Sequence, residues 1–286
     1  MQTVSLTWQQ SGEVAVVLAG VGGALALVSD RRARWAGALC RELAVIATLY
    51  GLWHLAGEVS VAGASRAYDR ARWIRSFDDS LPLPSERTMQ QAVLGHKLLV
   101  QGANYYYAAM HLTTMGIFLL WLFVRHRERY RPVRQVMAWT TLGCLLIQLM
   151  PVAPPRMLPG IVDTGRLYHQ SVYEGGLAVD QLSAMPSVHV AWAVCVGWYV
   201  WRISPSRWRF VGPAHSVVTI LVVVVTGNHW WLDGVVAIAV LAVCAWGVYG
   251  VRTSWRRAVA WWRASRPSRL EPGAEPAVAP VGAHAD

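Results

Sequence analysis

The chain has 286 residues, of which 55% are hydrophobic and only 15% are charged. A soluble domain carries about 25% charged residues, so this composition excludes an ordinary soluble protein and favours an all-α polytopic membrane protein. The net charge of +10 comes from arginines clustered between apolar stretches. That pattern is typical of membrane topology, so no nucleic acid is expected as a partner.

Seven apolar stretches predict about seven transmembrane helices. Arginine clusters follow the first, third, fifth and seventh stretches, and the positive-inside rule places these clusters in the cytoplasm. The sequence therefore predicts an N-out, C-in topology. The stretches lie at about 14–29, 36–55, 104–124, 135–151, 186–201, 209–227 and 230–250.

Three regions are expected along the chain. Residues 1–103 contain N-terminal membrane helices and an outer interfacial segment, 104–250 form the core with the polar motifs, and 251–286 form a basic, then disordered, cytoplasmic tail. Within the interfacial segment we expect two short helices, the second capped by Ser85. A solvated extracellular linker is the alternative.

Other residues of the apolar stretches are expected to be structural. Arg41 and Glu42 are adjacent and cannot face each other on a helix, so each is predicted to pair elsewhere in the bundle. Trp230 and Trp231 are predicted to be interfacial anchors. The cysteines show no paired or metal-type spacing, which predicts buried thiols and no disulfide. They are Cys40, Cys144, Cys195 and Cys244.

Three polar clusters meet at the same outer face in the predicted topology: Pro154–Arg156, Ala184–His189 and Gly227–Asp233. In the third, His229 and Asp233 are four residues apart and share one face of a helix. A carboxylate in that position can orient an imidazole and stabilise its cation. The alternative is a polar cap on a membrane helix, but the convergence of three clusters favours a functional site.

The clusters contain groups suited to phosphoryl transfer. Arg156 offers a planar guanidinium fork for phosphate oxygens. His229, oriented by Asp233, is a candidate nucleophile on phosphorus. His189 is a candidate acid for the leaving oxygen. Phosphoryl transfer depends mainly on positioning and charge stabilisation, which this set provides.

The first turn of the fifth helix is a candidate anion site. Pro186 suits the first helical position, which would leave Ser187 and the free N–H groups facing outward. Asn228 is also expected to contact the phosphate or the substrate. A zinc site fits poorly, because no third ligand lies near His229 and Asp233 at the usual spacing, so no metal or cofactor is expected.

Asn104, Tyr107 and His111 share one face of the third predicted helix. They are expected to bind the substrate headgroup; an interfacial aromatic belt with a satisfied histidine is the alternative. Further candidates for headgroup contact are Glu86, Arg87 and Arg166.

The motif PSVH, followed 40 residues later by HWWLD, resembles the second and third motifs of the type 2 phosphatidic acid phosphatase (PAP2) superfamily. With PPRM, the motifs AMPSVH and GNHWWLD resemble its inositol phosphotransferase branch, which includes fungal and protozoan inositol phosphorylceramide synthases. The resemblance covers about 100–250 and implies a PAP2-type helical bundle. It implies a nucleophile that forms phosphohistidine, an acid for the leaving group and an orienting aspartate, which by motif match are His229, His189 and Asp233.

The chain departs from the broader phosphatase pattern at three positions. Val223 stands where that pattern has an arginine, Leu149 where it has a lysine, and Val188 where it usually has a glycine. Two phosphate-binding cations are therefore missing. Either Arg156 carries a larger share of phosphate binding or other residues substitute for them, and the departures favour the phosphotransferase-like branch over an ordinary lipid phosphatase.

These features predict an integral plasma membrane enzyme with an extracytoplasmic active site. It would transfer a phospho-headgroup from a membrane phospholipid donor to a lipid or polyol acceptor. A lipid or polyprenyl phosphate phosphatase, with water as the acceptor, is the alternative. The alternative outside enzymes is a transporter or receptor that binds an anionic ligand. No oligomeric state is predicted.

Overall fold

The computed structural model describes residues 6–61, 64–173 and 181–264. Within these ranges the chain is helical and contains no strand, which agrees with the predicted all-α class. The helices are α1 (Trp8–Leu27), α2 (Arg31–Val61), α3 (Ala64–Asp78), α4 (Glu86–Leu94), α5 (Lys97–Arg125), α6 (Arg127–Gln148), α7 (Thr164–Leu167), α8 (Val188–Ile203), α9 (Val211–Val225) and α10 (Trp231–Ala264).

Helices occupy all seven predicted stretches, but not all of them are long and apolar enough to cross a membrane. By length and composition, five candidate spans are found in the described ranges, on α1, α2, α5, α9 and α10. The apolar helix α8 is shorter, and α6 begins with the charged sequence RERYRPVR. The protein is thus a helical membrane protein with five candidate spans among the described residues, whereas seven spans and the N-out topology stay predictions.

Small residues let α1 and α2 approach closely. A Cβ added at Gly22 would lie 2.8 Å from the carbonyl oxygen of Gly37, so a larger residue there would force the helices apart. Arg41 donates to the carbonyl of Gly22, while Glu42 pairs with Arg134 of α6. The prediction that Arg41 and Glu42 pair elsewhere is confirmed.

Helices α5, α6, α8 and α9 and the first part of α10 enclose an apolar core. Val190 of α8, Val223 of α9 and Ala237 of α10 are buried together in it. Val223 therefore replaces the cation of the broader family pattern with a core side chain. All four cysteines are free, as predicted, but only two are fully buried: Cys144 and Cys195 are buried, and Cys40 and Cys244 are partly exposed.

Segment 64–94 contains the two predicted short helices, α3 and α4. The hydroxyl of Ser85 accepts the Thr88 N–H at 3.3 Å, which confirms the predicted helix cap. Apolar side chains of α3 pack against the residues that follow α6 and begin α10, so the alternative of a solvated linker is wrong. The packed residues include Ala67, Ala71, Ile74, Val152 and Trp230.

The chain divides into two compact units, one up to Val248 and one from Tyr249 onwards. All three polar clusters belong to the first unit. The tail predicted to be disordered after about Arg266 lies outside the described residues, and the predicted division into three regions stays a prediction.

Candidate active site

The polar motif between α9 and α10 is a tight turn built on a glycine. Gly227 has φ of +71°, a left-handed conformation that residues with a Cβ rarely adopt, and an added Cβ would lie 3.2 Å from Cβ of Arg156. The N–H groups of Asn228 and His229 both donate to the carbonyl of Val223 at 3.1 Å. These bonds close the turn after the last residue of α9, Val225, and the side chains of Asn228 and His229 are both buried.

The hydrogen bonds of His229 fix its tautomer. Nδ1 lies 2.7 Å from the carbonyl oxygen of Ala184 and 3.3 Å from Oδ2 of Asp233. A carbonyl oxygen can only accept, so Nδ1 carries a hydrogen, and in the neutral imidazole Nε2 then keeps its lone pair. Nε2 is buried without a partner in the described part of the chain. His229 is therefore oriented by Ala184 at least as much as by the predicted Asp233.

Asp233 and Ala184 are themselves held in place. Oδ2 of Asp233 accepts the N–H of Trp230 at 2.8 Å, which is a capping bond at the start of α10. The N–H of Ala184 donates to the carbonyl of Val152 at 3.2 Å. The acceptors of His229 thus belong to two separate backbone segments that meet at the imidazole.

His189 lies next to His229 within a group of aromatic rings. The two imidazole centroids are 5.7 Å apart. Tyr107 stacks on His189 at 4.4 Å, and His111 contacts the edge of the same ring at 4.2 Å. The predicted face of α5 therefore packs on the second histidine and holds its ring.

Arg156 is buried and is held on three sides. Nη1 donates to Oδ1 of Asn228 at 2.6 Å, and Nε lies 3.4 Å from Oδ2 of Asp163. The guanidinium carbon lies 4.3 Å from the ring centroid of Tyr173, within the range of a cation–π interaction. Nη2 is buried and has no hydrogen-bond partner among the described residues, so one edge of the guanidinium is available for an anion.

Two small cavities adjoin these groups and share Tyr107 as a wall. The first is polar and includes Arg156, Asp163 and Asn228, while the second includes His111 and His189. The three clusters predicted to converge do meet in the fold. Within the described ranges no group of three or more histidine, cysteine or acidic side chains is arranged to hold a metal ion.

Helix α8 starts later than predicted. Its first residue is Val188, and the N-cap is Ser187, whose hydroxyl accepts the Val190 N–H at 3.3 Å. Pro186 therefore precedes the helix and does not occupy its first position. Ser187 is fully buried and its N–H donates to the carbonyl of Asp233 at 3.2 Å. The hydroxyl expected to face an anion caps its own helix instead.

Asn104 lies on the wall of the polar cavity, but its amide is engaged by the protein. Nδ2 donates to the carbonyl of Thr164 and to Oε1 of Gln170, each at 3.0 Å. Oδ1 accepts the hydroxyl of Thr164 at 2.8 Å. Asn104 therefore anchors α7 and the residues after it, and its predicted contact with a headgroup stays a prediction.

Several residues that build the site were not predicted. Gln90 of α4 donates to the carbonyls of Val162 at 2.9 Å and Val225 at 3.2 Å, and it accepts the N–H of Val162 at 2.7 Å. It thereby ties α4 to the end of α9. Asp163 and Tyr173, which hold Arg156, were also missed. Such side-chain bonds to distant backbone have no periodicity in the sequence that could have revealed them.

Two expectations about this region are wrong. Trp230 is only 1% exposed, and its Nε1 donates to the carbonyl of Ala153 at 3.0 Å. It is a core residue and not an interfacial anchor, because the small residues of α3 leave room for its ring. Glu86 is 2% exposed and accepts the N–H of Trp231 at 3.1 Å, so it faces the protein instead of a headgroup.

The family model of the PAP2 superfamily matches residues 72–247, which is more than half of the chain. Comparisons with curated proteins and with solved structures found no match. The matched region contains all three polar clusters and the helices that position them. The inositol phosphotransferase branch and the individual residue roles stay predictions. The chain belongs to the PAP2 superfamily.

Proposed function

We propose that this protein is a membrane phosphotransferase that moves a phospho-headgroup from a phospholipid to an alcohol through a phosphohistidine at Nε2 of His229. Membership of the PAP2 superfamily supports phosphatase or phosphotransferase chemistry. The observation that carries the proposal is that Nε2 is buried without a partner among the described residues, on a ring whose Nδ1 is fixed by two acceptors. Leaving a buried polar atom unsatisfied costs about 1–3 kcal/mol, which suggests that a reacting group occupies this position during turnover.

The two histidines divide the chemistry. The lone pair of Nε2 attacks phosphorus, a P–N bond forms, and the P–O bond to the diacylglycerol-like alcohol breaks. The leaving oxygen takes a proton from His189. The positive charge that develops on His229 is stabilised by Asp233, while Ala184 keeps the ring in place.

The second half-reaction reverses these roles. His189 removes a proton from the acceptor alcohol, whose oxygen attacks phosphorus. The P–N bond breaks and the electron pair returns to Nε2 of His229. The contacts of Tyr107 and His111 with His189 hold its ring beside His229, which supports one histidine acting as acid and then as base.

The charges of the polar cavity favour a phosphodiester over a phosphomonoester. Arg156 is the cation that lines this cavity among the described residues, and Asp163 beside it partly offsets its charge. A phosphodiester carries one negative charge, whereas a phosphomonoester carries about −1.5 to −2 at neutral pH. A single, partly neutralised guanidinium therefore suits a phospholipid diester, which supports transfer over hydrolysis of a lipid phosphate.

The donor and acceptor are proposed to reach the site from the membrane. The predicted topology places the three clusters at the extracytoplasmic side of the plasma membrane. A phospholipid in that leaflet would present its phosphate to Arg156, and a lipid or polyol alcohol would be the acceptor.

The test uses the purified protein in mixed micelles with a phospholipid labelled at phosphorus and an added lipid alcohol. We expect a labelled transfer product, and we expect His229→Ala to abolish it. His96→Ala is the matched control, because His96 is an exposed histidine whose side chain makes no capping bond. Normal turnover by His229→Ala would overturn the mechanism. Release of inorganic phosphate from a phosphomonoester without dependence on the alcohol would favour the phosphatase, and lipid binding without turnover would favour a binding protein.

A further inference from the structure

The first turn of α10 is held by three buried carboxyl groups from three helices. Backbone N–H groups in a first helical turn have no partner within the helix and need acceptors from outside. Here each of three successive N–H groups has a different carboxyl acceptor, and all three carboxyls are at most 2% exposed. The pairs are Trp230 with Asp233 at 2.8 Å, Trp231 with Glu86 at 3.1 Å, and Leu232 with Asp78 at 3.3 Å.

Asp78 and Glu86 are neighbours at this helix start. They accept the successive N–H groups of Leu232 and Trp231, and both carboxyls are buried. Two ionised carboxylates repel each other, so burial of the pair favours one proton held between them. Oδ1 of Asp78 is buried without a hydrogen-bond partner among the described residues, which leaves it available to share that proton.

The charged groups around the pair do not offset its charge. In the described ranges, no ion pair includes Asp78 or Glu86. Arg75 of α3 donates to the carbonyl of Pro159, and the guanidinium of Arg87 of α4 lies beside Gly160. Asp233 of α10 adds a further negative charge near the pair. Its carboxylate contacts Nδ1 of His229.

We propose that Asp78 and Glu86 are positioning residues for the reaction: they share one proton, fix the first turn of α10, and thereby hold Asp233 against His229. The inference rests on the proposed function, since it assigns these carboxyls to the support of the proposed nucleophile. Neither carboxyl touches the reacting atoms. Each acts through the backbone of the turn that carries Asp233.

Burial, and to a lesser degree the neighbouring Asp78, raises the pKa of Glu86 to about 7. Burial also raises the pKa of Asp78, and the charge of Asp233 adds to this shift. When the shared proton is lost, three carboxylates crowd one helix start, where the positive end of the helix dipole is worth only about half a charge. The turn is then expected to loosen, and turnover should fall as the pH rises through 7.

Glu86→Gln tests the shared proton. A glutamine amide can accept the N–H of Trp231 and donate to Asp78, but it cannot titrate near neutral pH. We expect this variant to keep its turnover at pH 6.5 and to shift the alkaline fall by about one pH unit or more. Glu86→Ala should lose turnover at every pH, because it removes the acceptor of the Trp231 N–H and the carboxyl beside Asp78. Asp79→Asn, which changes an exposed neighbouring carboxylate, is the control and should match the wild-type profile.

Two kinetic outcomes would overturn the proposal. If the turnover of Glu86→Gln falls at the same alkaline pH as that of the wild type, the pair of carboxyls does not set the pH of this fall. Loss of turnover by Glu86→Gln as complete as that of Glu86→Ala would show that the shared proton is not what holds the turn.

The second measurement does not depend on turnover. Between pH 4.5, the ordinary pKa of a glutamate, and about 7, the folded protein holds a proton that the unfolded chain releases. Stability must therefore fall as the pH rises through this window, and Tm in detergent should fall with it. Glu86→Gln should lack this part of the decline, and Asp79→Asn should keep it.

The two readouts separate the two proposals. If the wild-type protein turns over no phospholipid while Tm behaves as expected, the proposed function fails and the proton-sharing pair stands. If turnover is normal but the wild type and Glu86→Gln show the same dependence of Tm on pH, the pair is refuted and the proposed function stands.

Discussion

Gly227→Ala is expected to damage stability and turnover together, because the glycine is required by both conformation and space. Its φ is +71°, and an added Cβ would lie 3.1 Å from Cγ2 of Ile161, 3.2 Å from Cβ of Arg156 and 3.3 Å from Nε2 of Gln90. The left-handed conformation alone costs a residue with a Cβ about 1–2 kcal/mol. Displacement of Arg156 would remove its proposed charged hydrogen bond to phosphate, which at about 1.5–3 kcal/mol corresponds to a fall in kcat/KM of about 10- to 150-fold.

The assay compares Tm in detergent and kcat/KM for phospholipid transfer. Gly95→Ala is the matched control, since Gly95 has φ of −67° and nothing lies within 4 Å of an added Cβ. It should leave turnover unchanged and stability unchanged or higher by about 0.4–1 kcal/mol. A Gly227→Ala variant with wild-type Tm and wild-type turnover would refute the assignment of this turn as the element that joins Arg156 to His229.

Three further substitutions probe separate contacts. Arg156→Lys keeps the charge but loses the planar guanidinium that donates to Asn228, so kcat/KM should fall at least about tenfold. Wild-type kinetics would contradict the proposed role of the guanidinium in phosphate binding. Asp233→Asn still accepts the N–H of Trp230 but cannot stabilise a cationic imidazole, so kcat should fall by about 100-fold or more while KM changes little. An unchanged kcat would exclude the stabilisation of the His229 cation by Asp233. Trp230→Phe leaves the carbonyl of Ala153 without its donor. The free energy of unfolding should therefore fall by about 1–3 kcal/mol, and Tm should fall with it. An unchanged Tm would show that the bond is dispensable.

Hydropathy was sufficient to locate the long helices but not to define their ends. Helices occur at all seven predicted apolar stretches, because an amide backbone in an apolar medium must satisfy its own hydrogen bonds. Ends are set by caps, and the cap of α8 is Ser187, which moved its start two residues past the predicted Pro186. The charged first turns of α6 also explain why it is not among the five candidate spans of the described residues.

The candidate site was predictable where chemistry and spacing coincide in the sequence. The spacing of His229 and Asp233 and the guanidinium of Arg156 were visible in the sequence, and the fold brings them together with His189. The dominant acceptor of His229 was not predictable, because it is a backbone carbonyl and every residue has one.

The supporting residues were hidden for a different reason. Gln90, Asp78 and Glu86 bind backbone groups that lie more than 70 residues away in the chain, and such pairings leave no periodic signal. Composition was misleading for Trp230, since a tryptophan at a helix end is typical of a membrane interface. Its burial depends on the small residues Ala67 and Ala71, which leave space beneath α3.

In the proposed reaction, Nε2 of His229 attacks phosphorus while Nδ1–H stays bound to Ala184 and Asp233. The most direct test is nuclear magnetic resonance of the phosphoenzyme trapped from protein with ¹⁵N-labelled histidine, in which coupling to phosphorus identifies the bonded nitrogen. We expect a single phosphohistidine, on His229 and at Nε2, that is absent from His229→Ala and present in His96→Ala. A phosphorus bond at Nδ1, or sustained turnover without any phosphohistidine, would contradict it.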